Sequence, residues 1–109
     1  MAAVNEARAN LDSLQAQADT TRQQIRLDVE QAQLAVHAAV ESFSASQEAL
    51  TNAKDRLRLA EGRYQTGVGS IIELGDAQVA ETTAAAQKVQ ADYNVSTARA
   101  QLLSALGRF

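Results

Sequence analysis

From Val29 to Tyr64 an apolar side chain returns at every seventh position: Val29, Val36, Phe43, Leu50, Leu57, Tyr64. A companion row of small residues, Ala32, Ala39, Ser46, Ala53 and Ala60, runs between them. Alternating steps of three and four mark a coiled-coil seam, and the small row lets two backbones approach closely. An ordinary amphipathic helix drifts out of such a register after two or three heptads. The repeat therefore restricts this part of the chain to a long helix packed along its length.

The rest of the sequence supports the same architecture. There is no proline, and Ala, Gln, Leu, Glu and Arg, all good helix formers, dominate. Upstream, Val4, Ala7, Leu11, Leu14, Ala18, Thr21 and Ile25 run in steps of three and four, joined to the main repeat by a stutter at Ile25–Val29–Ala32. A second partial stripe, Leu27, Leu34, Ala38, Ala45 and Ala49, lies on another face, so this helix has the pattern to touch neighbours on two sides. Downstream, Ile72, Val79, Ala86, Tyr93 and Ala100 repeat at seven with Val89, Ser96 and Leu103 between them; Leu74, Ala77, Ala84, Ala91, Val95, Ala98 and Leu102 form another stripe.

The regularity breaks once, in YQTGVGSIIELGDAQ (Tyr64 to Gln78), which holds three of the chain's five glycines. Gly67 is suited to the left-handed conformation that ends a helix. Ser70-Ile71-Ile72-Glu73 fits the capping box that starts one, with Ser70 as N-cap and Glu73 reaching back to it. The expected fold class is therefore all-α: a long antiparallel coiled-coil helical hairpin with helices at about 3–65 and 71–107 and a tip turn at 66–70. Reversal there is expected to set Tyr64 level with Ile72, Leu57 with Val79, Leu50 with Ala86 and Phe43 with Tyr93. At 1.5 Å per residue the arms differ, roughly 90 Å against roughly 55 Å. The shorter ends opposite about residue 28 and leaves the stripe of residues 4–25 without cover inside the chain.

Several functions are excluded at this level. The net charge of −3 and the absence of a basic patch argue against nucleic acid as a partner. Zero cysteines rule out disulfides and thiolate metal sites. His37 has no second ligand at metal spacing and reads as a solvated helix residue. No Ser or Thr has a base partner, and the glycines are not followed by the lysine of a phosphate loop. The expectation is a protein that is not an enzyme and takes no cofactor. MAAVNEARAN is not a signal peptide, and no segment reaches the ~18 apolar residues of a spanning helix. Membrane contact is expected only through segments outside this sequence.

Glu73 and Asp76 sit in the first two turns of the second helix, where acids complement the helix dipole. They would also form a cation-selecting ring if several hairpins packed around an axis. At this point the residues have a resemblance. Residues 56–107, RLRLAEGRYQTGVGSIIELGDAQ through LLSALG, resemble the TolC-like outer-membrane efflux proteins (outer-membrane factors), and IRLDVEQAQLAV is similar to their long helix. The family's pattern is Tyr-x-x-Gly, a short turn with Ser or Thr, an acid, then Leu-Asp-Ala and a helix closing in Ala-Leu-Gly. The match is nearest to the second of its two helical repeats and covers about residues 4–107.

The resemblance implies the periplasmic part of a trimeric outer-membrane channel in a Gram-negative envelope, a β-barrel continued by an α-helical tunnel. It implies that Gly67, Val68, Gly69 and Ser70 meet the hairpin of a periplasmic adaptor (membrane fusion) protein. It also places Tyr64 at the gate and Glu73 and Asp76 at the constriction. Two positions depart from the pattern: Gly69 stands where some members carry a gate-tying arginine, and Gly75 replaces the usual leucine before Asp. The alternative reading is a self-assembling coiled-coil hairpin with no transport role. In isolation the chain is expected to associate with itself, most simply as a dimer.

Overall fold

The computed structural model describes residues 1–108. Helix α1 spans Ala2–Gln65 and helix α2 spans Ile71–Gly107, and the two form an antiparallel hairpin measuring 98 × 18 × 13 Å. A helix of 64 residues is about 96 Å long. The long dimension is thus α1 alone, and α2 lies along its C-terminal part. α1 runs unbroken through the stutter at residues 25–32. No helix is long and apolar enough to cross a membrane.

The face that α1 turns to α2 is the seam read from the sequence. Val29, Leu50, Ala53 and Ala60 are buried, and Ala32, Val36, Ala39, Phe43, Ser46 and Leu57 are half-buried. Tyr64, the last member of the larger row, is exposed.

The face of α2 differs from the expected one. Ala84, Ala91, Val95, Ala98 and Ala105 are buried, with Leu74, Ala77 and Leu102 half-buried, whereas Ile72 is 73% exposed and Tyr93 67%. Val79, Val89 and Leu103 point outward with them. Leu50 and Ala53 cluster with Ala84, so the expected pairings of Leu50 with Ala86, Leu57 with Val79, Phe43 with Tyr93 and Tyr64 with Ile72 do not form the seam.

The cause is size. α1 already presents a row of larger side chains, and a second row of Ile, Val and Tyr set against it would force the axes apart. Alanine at 77, 84, 91, 98 and 105 gives a seven-residue row of methyl groups against which Val29, Leu50 and their companions fit, and the backbones stay close. In return, Leu74, Val95 and Leu102 occupy the row of α2 that suits the small row of α1. Glu81 and Lys88, half-buried in that same row, lay their aliphatic stems along the seam. No side chain is fully buried, so stability is distributed over many small contacts rather than held in a thick core.

At the open end of the shared segment Arg108 Nη1 lies 3.8 Å from Asp28 Oδ2. Beyond it α1 continues alone: residues 2–24 are exposed on every face, including Leu11 and Leu14. The apolar stripe of residues 4–25 has no cover within the chain.

Candidate functional site

The reversal between the helices is made mostly by main-chain groups. Gly67 adopts φ +81°, the left-handed conformation that favours glycine. Its N–H donates to the Tyr64 carbonyl at 3.1 Å, and the Val68 N–H donates to the Arg63 carbonyl at 2.9 Å. Together these are the two bonds of a Schellman stop. The Gly69 N–H donates to the same Arg63 carbonyl at 2.9 Å, and the Thr66 hydroxyl to the carbonyls of Gly62 and Arg63. The last carbonyls of α1, which a helix end otherwise leaves without partners, are thereby satisfied.

α2 starts on Ser70, extended at φ −94°, ψ 160°, whose Oγ accepts from the Glu73 N–H at 3.1 Å. This is half of the expected capping box. The Glu73 carboxylate does not reach back to the Ser70 backbone; its Oε1 lies 3.1 Å from Arg63 Nε on the other arm. An ionised partner across the turn competes for the carboxylate more strongly than a neutral backbone N–H. Gly69 makes the approach possible: a Cβ there would lie 3.0 Å from Arg63 Cβ and 3.2 Å from Glu73 Oε2.

The residues singled out in the sequence thus divide into groups. Gly67, Val68, Gly69 and Ser70 form the apex, where Val68 is 69% exposed and lacks the apolar partner that often accompanies a Schellman stop. Tyr64 stands on the last turn of α1, about half exposed, and its hydroxyl bonds to no described residue. Asp76, one turn beyond Glu73, lines an open groove of about 490 Å³ with Arg56, Leu59, Ile72 and Glu73. It forms no ion pair among the described residues. Ile71 and Ile72 add exposed apolar surface beside the apex.

Arg63 is the tip residue that motif reading overlooked. Its signal was available: it is the basic residue in the last turn of α1, and Glu73 is the acid in the first turn of α2. Gly75 lies within α2 with open space around the position of its missing Cβ. His37 is exposed, and among the described residues no group of three or more His, Cys, Asp or Glu is arranged to hold a metal.

The tip therefore offers a fixed backbone reversal, an exposed apolar apex, a paired acid and an unpaired one. This arrangement suits docking and charge selection, and it contains no nucleophile with a base. Compared with known families, residues 1–108 match the model described as "Outer membrane efflux protein". No curated protein and no solved structure matches the chain.

Proposed function

The chain belongs to the outer membrane efflux protein family, whose members form channels of the outer membrane and periplasm, and on that premise we propose that its hairpin is part of the periplasmic α-helical duct of such a channel. In this reading three chains surround the duct and the tip, residues 64–76, forms its periplasmic entrance. Gly67–Ser70 and the exposed Val68 meet a periplasmic adaptor protein, Tyr64 packs at the gate, and Asp76 and Glu73 carry the charge of the constriction. Carboxylates gathered at a narrow point favour cations and repel anions.

The observation that supports the reading best is the combination of one rigid reversal with apolar surface left uncovered at its apex. A hairpin built only to hold itself together needs the turn and the caps, but has no use for an exposed Val68, Ile71 and Ile72. The outward rows of both helices agree with it: Leu34 and Leu59 on α1, and Val79, Val89 and Tyr93 on α2, suit helices packed side by side around an axis.

The chain contains no cysteine, so a single Val68→Cys change gives a unique attachment point. A photo-crosslinker there, in the channel in its native envelope, is expected to capture the adaptor, while one at Gln47 on the exposed flank of α1 is not. Asp76→Asn in the reconstituted channel is expected to lower cation preference with assembly unchanged. Adaptor capture equal at both positions, together with unaltered selectivity, would favour a structural hairpin without a transport role.

A further inference from the structure

Of the two acids at the tip, only one is unpaired. Glu73 Oε1 is held 3.1 Å from Arg63 Nε, whereas Asp76 has no ionic partner among the described residues. The two acids are three residues apart on α2, which puts them on the same side of the helix, and both line the same groove.

The pair is built into the backbone of the turn. The Arg63 carbonyl accepts from the N–H groups of both Val68 and Gly69, so the residue that supplies the guanidinium also anchors the reversal. Any side chain at position 69 would wedge against Arg63 Cβ and Glu73 Oε2, at 3.0 and 3.2 Å from its Cβ. Both partners are a little under half exposed, 46% and 45%, so the pair remains in reach of water and ions and is open to competition.

We propose that Arg63 is a positioning residue that masks Glu73 from cations within a single hairpin. With the clasp closed, each hairpin presents one free carboxylate, Asp76; with it open, each presents two on one face, fit to share a hydrated multivalent cation. Such a cation must displace the guanidinium to reach both acids, so Arg63 sets the cation affinity of the tip as an internal competitor. This proposal rests on the reading that the tip lines the duct entrance.

The test is block of the full-length reconstituted channel by magnesium and by hexamminecobalt(III). Arg63→Met keeps the aliphatic stem over Gly69 and removes the charge; it is expected to lower the blocking concentration on the order of three- to tenfold. Gly69→Ala leaves both charges in place and wedges them apart, and is expected to shift block in the same direction. Glu73→Gln alone leaves block within about twofold of the parent, because its charge is already masked, but in the Arg63→Met background it removes the gain. Asp76→Asn weakens block in every background. Unchanged block in Arg63→Met, with Asp76→Asn still weakening it, overturns the clasp and leaves the entrance reading standing. Glu73→Gln weakening block as much as Asp76→Asn also overturns the clasp, since Glu73 would then be free. No effect of Asp76→Asn overturns the entrance reading itself, and the clasp with it.

Discussion

Asp28 and Arg108 meet at 3.8 Å, and each stands 35 residues along its own helix from a member of the Arg63–Glu73 pair (28 to 63, and 73 to 108). Five heptads therefore separate two cross-arm ion pairs in both helices, with no slip between them. The register is the same at the tip and at the open end, as expected when one alanine row runs the whole way between.

That relationship predicts a small, local effect for the outer pair. Asp28 is about one-third exposed and Arg108 about two-thirds, so Arg108→Ala should cost no more than about 1 kcal/mol in denaturant unfolding. Hydrogen exchange is expected to quicken in the last turn of α2 and to stay unchanged around Ala84. Faster exchange along the whole of α2 would mean that the ion pair, and not the seam, holds the register.

Two alanines two residues apart distinguish the observed seam from the outward row. Ala84 is 7% exposed and clusters with Leu50 and Ala53, whereas Ala86 faces outward. Ala84→Leu should destabilise the hairpin by about 1–3 kcal/mol through overpacking, and Ala86→Leu should change stability by less than about 0.5 kcal/mol. Thermal unfolding of the two variants side by side is sufficient, and equal effects would contradict the packing face.

Three glycines of the same region should respond differently to alanine. At Gly75 the added methyl group meets open space in a helix interior, so Gly75→Ala is expected to stabilise by about 1 kcal/mol. At Gly67, φ +81° makes any L side chain unfavourable, and Gly67→Ala should destabilise by roughly 1–2 kcal/mol. Gly69→Ala should destabilise as well, through the 3.0 Å approach to Arg63 Cβ. Stabilities measured on the three variants check the order.

The exposed surface predicts self-association. The hairpin exposes 8259 Å², while a compact monomer of 11.6 kDa would expose about 5,800 Å². The excess is larger than the roughly 1,600 Å² buried in a typical stable interface. Sedimentation at micromolar concentration is expected to show dimers or larger species, and Leu11→Glu with Leu14→Glu should weaken them. A strictly monomeric chain with residues 4–25 still helical would refute this.

The face of α1 was legible because its larger side chains fall in one unbroken seven-residue row, and periodicity alone identifies such a row. α2 carries two rows with the same period. A hydropathy ranking favours Ile72, Val79 and Tyr93, but helix spacing favours Ala84, Ala91 and Ala98. Spacing is a property of the pair of helices, so α2 alone does not contain the answer. The tip turn was legible from Gly67 and Ser70, whose roles are local. The destination of Glu73 was not, because the motif S-x-x-E describes only the helix that Glu73 begins, and its partner Arg63 belongs to the other one.

The reversal at residues 63–70 is held by backbone donors and carbonyls, the left-handed Gly67 and the hydroxyls of Thr66 and Ser70, so the side chains of Val68 and Ile71 have no part in making the turn. They are free to change without refolding anything. A hairpin made this way separates its architecture from its address: mutation at two exposed positions can redirect the tip to a different partner while both helices and the bend between them stay as they are.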